Sequence, residues 1–116
     1  MPNPVVHWEV HTKEAKKCRE FLANVFDRHV DSSNPMDYGF IDTHAGGING
    51  GISPSEEPNK TLVYVEVDDL QGYLDKNESL GGETVVPITE IPNVVTFAHF
   101  TDPVGNLMGL VKSDGI

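Results

Sequence analysis

The sequence has few cysteines and few cations. Cys18 is the single cysteine among 116 residues, which excludes an internal disulfide and a multi-cysteine zinc site. Lys and Arg number 8 against 18 Asp and Glu, so the formal net charge is −10. An acidic surface of this kind repels phosphate backbones and anionic lipids, and we therefore expect neither a nucleic acid nor a membrane as a partner.

Long apolar runs are missing as well. No stretch approaches the roughly 18 consecutive apolar residues of a membrane helix. The N-terminus MPNPVVHWEV has no basic segment followed by an apolar one, which predicts that there is no secretion signal. Together with the lone cysteine, this favours a cytoplasmic location. The hydrophobic share of 38% and the charged share of 22% are typical of a folded domain with a buried core.

Two stretches alternate with the period of a β-strand, at Val5–Val10 and Thr61–Val67. In the first, the alternation places Trp8 on a helix-packing face and His7 with Glu9 on the opposite, mixed face. In the second, Val63, Val65 and Val67 share one face, and the other face carries Leu62, Tyr64 and Glu66.

Each of these strands precedes a predicted helix. The first helix begins after an N-cap at Thr12 and runs from Lys13 to Phe26, with Ala15, Cys18, Leu22 and Val25 at core spacing. Cys18 is therefore expected to pack as a small apolar group. The second helix begins at Asp68-Asp69, runs through Leu80 and ends at the Gly81-Gly82 pair.

The order of elements repeats. Further strands are predicted at 28–30, 38–42, 48–52 and 84–86, with a loop over 87–92 and a hairpin over 94–111 that turns at 102–106. The chain thus reads strand, helix, three strands, twice over, as two modules spanning about 4–54 and 60–113. A shift of about 55 to 58 residues relates them, placing His7 on Leu62 and Gly51 on Gly109.

The residues along both modules resemble one known superfamily. The matching segments are VVHWEV with a helix ending FLANVF, DYGFIDT with GGINGGI, VYVEVDDL with SLGGETVVPITEIP, and FAHFTDPVGNLMGL. The chain is similar to the vicinal oxygen chelate superfamily, which includes glyoxalase I, bleomycin-resistance proteins and extradiol dioxygenases. The resemblance implies an α+β fold of two βαβββ modules, whose curved mixed sheet surrounds a cavity and is commonly completed by homodimerisation.

The resemblance also implies where a metal would bind. Its metal-dependent members use side chains from the first and last strands of each module, and those positions here are His7, Gly51, Leu62 and Gly109. Only His7 can ligate a metal, because glycine and leucine carry no donor atoms. We therefore predict no metal cofactor, although replacement ligands from neighbouring positions would allow a divalent cation. The two glycines are instead expected to leave room for a ligand.

Other side chains on the mixed faces are the candidate site. His7, Glu9 and His99 are candidate catalytic residues, because a His–Glu pair can act as a base with its orienting group. The remaining ligand-binding candidates are Tyr64, Glu66, Leu62, Phe97, Gly51 and Gly109. The same groups could equally form a hydrogen-bonded lining, with His7 and Glu9 satisfying each other and Glu66 near solvent. His11, His29 and His44 are predicted to be ordinary surface residues.

Three functions compete. The first is a metal-independent small-molecule binder like the bleomycin-resistance proteins, for a ligand that is partly aromatic and neutral or cationic. The second is a glyoxalase-like lyase or isomerase, or a dioxygenase-type enzyme, using His7, Glu9 and His99 or improvised metal ligands. The third is a dimer scaffold for protein association. The lost ligand set favours the binder.

Overall fold

The computed structural model describes residues 3–26, 30–34, 37–42 and 46–112. It divides into two compact units. The N-terminal unit is His7–Leu62, and the C-terminal unit combines the described residues of Met1–Val6 with those of Val63–Ile116. None of the helices in the described part is long and apolar enough to cross a membrane.

The N-terminal unit follows the order strand, helix, three strands. Its elements are β1 (Val5–Thr12, whose first two residues belong to the C-terminal unit), α1 (Ala15–Phe26), β2 (Val30–Asp31), β3 (Gly39–Ile41) and β4 (Gly50–Pro54). The strands are ordered β2-β3-β4-β1, with β4 and β1 parallel and the other pairs antiparallel. The parallel pair requires a crossover, and α1 belongs to it.

Helix α1 packs its apolar stripe on one face of these strands. Ala15, Ile41 and Ile52 form the buried cluster, with Trp8 and Cys18 packed against it. Burial raises the pKa of the Cys18 thiol, although the nearby Arg19 opposes the effect. The thiol therefore stays neutral, and the predictions that Cys18 packs as an apolar group and that Trp8 faces the helix are confirmed.

The C-terminal unit repeats the same order. Its elements are β5 (Lys60–Val67, whose first three residues belong to the N-terminal unit), α2 (Leu70–Ser79), β6 (Glu83–Ile91), β7 (Val95–Thr101) and β8 (Leu107–Lys112). The strands are ordered β5-β8-β7-β6, with β5 and β8 parallel. Helix α2 begins after Asp69, whose carboxylate accepts a hydrogen bond from the Gly72 N–H (3.1 Å). The core consists of Val67, Leu70, Leu74, Ala98 and Leu110.

The strand registers show how closely the two units correspond. In the N-terminal unit Gly51 on β4 lies between Glu9 on β1 and Phe40 on β3. In the C-terminal unit Gly109 on β8 lies between Tyr64 on β5 and His99 on β7. The α+β class and the repeated βαβββ order are thus confirmed, and the two glycines occupy matching places in the two units.

The largest error in the predicted boundaries concerns β6. The predicted short strand at 84–86 and loop at 87–92 are a single strand, β6 (Glu83–Ile91). Pro87 is tolerated because β6 is the outermost strand of its unit and its register with β7 shifts between Val86 and Thr89. A proline, which has no N–H to donate, fits such an irregular edge.

The predicted turn between β7 and β8 is present. Asp102 accepts hydrogen bonds from the backbone N–H of Val104 (3.0 Å) and from both the backbone and the side chain of Asn106 (2.9 and 2.8 Å). These bonds, led by the Asn106 side chain, lower the pKa of the Asp102 carboxyl. The closed turn sets the register that brings His99 opposite Gly109.

Candidate functional site

The mixed face of β1 carries two buried polar side chains. His7 is 7% exposed and Glu9 is 9% exposed, and both lie on the face opposite the one that Trp8 presents to α1. Burying such groups is costly unless they are hydrogen-bonded. Tyr38, just before β3, provides the bonds: its Oη lies 2.8 Å from Nε2 of His7 and donates to Oε2 of Glu9 over 2.7 Å.

The chain of bonds extends to a second histidine. Nε2 of His11 lies 2.5 Å from Oε1 of Glu9, so the carboxylate binds Tyr38 with one oxygen and His11 with the other. The prediction that His11 is an ordinary surface residue is therefore wrong. His11 shares the mixed face of β1 with His7 and Glu9 because the three alternate along the strand. His29 and His44 lie outside the described residues.

The same bonds locate the proton on His7. A tyrosine hydroxyl has one hydrogen, and Tyr38 gives it to the Glu9 carboxylate, which has none to offer. The hydrogen between Tyr38 and His7 must then come from the imidazole. His7 thus carries its hydrogen on Nε2, and in the neutral ring Nδ1 keeps the lone pair.

Burial lowers the pKa of His7 below its ordinary value, although the charge of Glu9 opposes the effect. We expect the His7 resonance in an NMR titration to shift at a lower pH than that of a histidine in the unfolded chain, about 6.5. His7 then takes up a proton more readily in the unfolded chain than in the folded protein. Its protonation therefore lowers the free energy of unfolding as the pH falls through about 6.5. His7→Gln should flatten the decline in stability between pH 7 and 5. A measured pKa of His7 above its ordinary value would contradict the expectation.

The ring of Tyr38 occupies the space above Gly51. A Cβ added at Gly51 would collide with Oη and Cζ of Tyr38. The glycine is therefore required for close approach of the ring. The expectation that Gly51 leaves room for a ligand is corrected: Tyr38 itself fills that room.

A related arrangement lies in the C-terminal unit. Tyr64 and His99 are 6% and 7% exposed, and their Oη and Nε2 atoms lie 2.7 Å apart. The half-buried Phe97 packs beside them, its ring centroid 5.4 Å from that of His99 and 6.5 Å from that of Tyr64. A Cβ added at Gly109 would collide with the Tyr64 ring, so here too a tyrosine fills the space above the glycine.

The other two predicted site residues, Leu62 and Glu66, are not among the side chains of the two clusters described above. Leu62 is buried at the end of the N-terminal unit. Glu66 is half-buried, and its backbone N–H donates to the carbonyl of Pro4 over 2.9 Å. Of the predicted site residues, His7 and Glu9 are thus connected through the Tyr38 hydroxyl. Tyr64, His99 and Phe97 form a separate cluster.

Sequence reasoning missed Tyr38. It lies outside regular structure and is 29 residues from Glu9 and 31 from His7, so no periodicity connects it with the mixed face of β1. A signal that could have found it is Gly51: glycine within a strand marks close approach by another group.

The residues at the four metal positions of the resembled superfamily do not fit a metal. Gly51, Leu62 and Gly109 carry no donor atoms. Tyr38 and Tyr64 also fill the space that larger side chains at the two glycines would need. Among the described residues, no three His, Cys, Asp or Glu side chains form a group that could hold a metal ion.

Comparison with known proteins supports the fold. A superfamily member from Vibrio splendidus, described as glyoxalase/bleomycin resistance protein/dioxygenase, superposes with a TM-score of 0.66 at 17% identity, over 95% of this chain and 97% of that one. A Mn(II)-bound glyoxalase from Novosphingobium aromaticivorans superposes with a TM-score of 0.68 at 12% identity, over 97% of this chain and 40% of that one. The chain thus has the fold of this superfamily, and identities this low establish the fold alone.

In sequence, no protein-family model matches. A candidate glyoxylase from Mycobacterium tuberculosis, CFP32, is 32% identical over 71 residues, or 61% of this chain. The chain spans only 27% of the length of that relative.

Proposed function

We propose that this protein binds a small molecule without a metal, on polar faces built from tyrosine–histidine pairs. The observation that carries the proposal is that tyrosine rings fill the space beside two of the positions where the superfamily has metal ligands. The Tyr38 ring lies over Gly51, and its hydroxyl is hydrogen-bonded to His7. The Tyr64 ring lies over Gly109, and its hydroxyl is hydrogen-bonded to His99. These pairs supply directed donors and acceptors of the kind that orient a bound ligand.

The surroundings suggest the chemistry of the ligand. Phe97 packs against His99 in the C-terminal unit, and Phe40 packs against Tyr38 in the N-terminal unit with a centroid separation of 4.7 Å. Aromatic side chains favour a flat, apolar partner. The net charge of −10 disfavours anions, so the proposed ligand is partly aromatic and neutral or cationic.

Thermal denaturation with matched aromatic compounds tests the proposal. We expect benzamide or benzylamine to raise the melting temperature in a concentration-dependent manner, and benzoate to raise it less. Phe97→Ala and His99→Ala should remove the effect, whereas Val104→Ala should retain it, because Val104 is 83% exposed in the β7–β8 turn. A rise that persists in both site variants, or stabilisation by none of the neutral and cationic compounds, would contradict the proposal.

A second candidate is a metal-independent acid–base enzyme that uses the hydrogen-bonded chain Glu9–Tyr38–His7. A carboxylate that orients an imidazole through a hydroxyl, with the imidazole neutral near pH 7, is suited to proton transfer. An enzyme of this kind would convert its ligand at a rate that depends on pH and falls sharply in His7→Ala. A bound compound recovered unchanged supports the binder instead.

The homodimer, the cytoplasmic location and the module bounds stay predictions.

A further inference from the structure

Tyr38 performs its bridging role from a segment without regular structure. Its hydroxyl must reach His7 and Glu9 together, at 2.8 and 2.7 Å. Its ring must also stay above Gly51. A loop residue does not hold such a position without further contacts, because loop backbone is the more mobile part of a protein.

Asn34 holds the backbone of Tyr38 at both polar groups. The Asn34 side chain donates from Nδ2 to the carbonyl of Tyr38 over 2.7 Å, and its Oδ1 accepts from the N–H of Tyr38 over 3.0 Å. This is the pairing that a neighbouring strand would give, provided by one side-chain amide.

Arg19, on helix α1, holds the residues on either side of Tyr38. Its guanidinium donates to the Asp37 carbonyl over 3.4 Å and lies 3.6 Å from the Asp37 carboxylate. Its stem packs so closely on Gly39 that an added Cβ would lie 2.6 Å from Cδ of Arg19.

We propose that Asn34 and Arg19 are positioning residues that hold Tyr38 between His7 and Glu9, and thereby keep His7 in the form with hydrogen on Nε2. The inference extends the proposed function, since it names the residues that set the donor and acceptor pattern of one of the proposed binding faces. The hydrogen bonds of Asn34 and Arg19 described above are made to the backbone of Tyr38 and to its neighbour Asp37, so the proposed effect of both residues on His7 passes through Tyr38.

The test is the tautomer of His7 in the ligand-free protein, read from long-range ¹H–¹⁵N NMR spectra. In the unchanged protein we expect Nε2 at the shift of a protonated nitrogen and Nδ1 at that of a lone-pair nitrogen. Asn34→Ala should move both nitrogens towards averaged shifts, because Tyr38 is released. Asn24→Ala is the matched control, since the Asn24 amide donates to the Glu20 carbonyl within α1. It should leave both shifts unchanged.

Two further variants separate positioning from general stability. Asn34→Asp keeps the acceptor for the Tyr38 N–H and loses the donor, so it should restore part of the His7 signature. Arg19→Met keeps the stem over Gly39 and removes the guanidinium, and should shift His7 less than Arg19→Ala. Unchanged His7 nitrogens in folded Asn34→Ala and Arg19→Ala would overturn the inference. Because no ligand is used, this result is independent of whether the aromatic compounds bind.

Discussion

Tyr38→Phe is expected to lower the free energy of unfolding by about 1–3 kcal/mol. The substitution keeps the ring over Gly51 and removes only the hydroxyl. Glu9 and His7, both nearly buried, then lose the group that joins them. Because one partner is a carboxylate, we expect the loss to lie towards the upper end of this range. Urea denaturation at pH 7 provides the measurement.

Tyr73→Phe is the matched control for this substitution. Its hydroxyl accepts a hydrogen bond from Asn3 on the exposed surface, so its removal should change stability by no more than about 0.5 kcal/mol. A double-mutant cycle with Glu9→Gln should show coupling with Tyr38→Phe, since the two residues share one bond. Equal losses in the two Tyr→Phe variants, or additive effects in the cycle, would contradict the bridging role of Tyr38.

Gly109→Ala is expected to cost about 1–3 kcal/mol, although it adds only one methyl group. The added carbon would collide with the ring of Tyr64, which cannot move without losing its bond to His99. In a Tyr64→Ala background the space is open, so there the same change at Gly109 should cost much less. The measurement is again urea denaturation of the two single variants and the double variant.

The outcome separates two explanations of the glycine. If Gly109 is present because Tyr64 needs the space, the two substitutions are strongly non-additive. If it is present for its backbone freedom, the cost of Gly109→Ala is the same in both backgrounds. The latter result would contradict the proposal that the Tyr64 ring occupies the space of a metal ligand at Gly109.

Local periodicity predicted the faces of the long strands. Alternation along β1 predicts Trp8 towards α1 and His7 with Glu9 on the other side, as the structure has them. Spacing in α1 correctly predicts that Ala15 is buried and that Cys18 packs against it, whereas Val25, at the same spacing, is 53% exposed. These features depend on neighbours one to four residues away, so the sequence contains them directly.

The composition of the site could not be predicted in the same way. Tyr38 reaches His7 from a distant segment, and its placement depends on Asn34 and Arg19, which no pattern in the sequence relates to the strands. Gly51 and Gly109 were recognised as matching positions, but their meaning depends on which side chain lies above each of them. The prediction for His11 is wrong because its alternation with His7 and Glu9, and not its place near the end of the strand, determines which face it occupies.

In the proposed function, tyrosine–histidine hydrogen bonds stand where the resembled superfamily places metal ligands. Elemental analysis of the purified protein, before and after incubation with nickel, zinc, iron and manganese, tests this directly. Since three of the four positions have no donor atoms and tyrosine rings cover the two glycines, we expect no near-stoichiometric metal and an unchanged melting temperature. Near-stoichiometric metal that is lost in His7→Ala would contradict the claim.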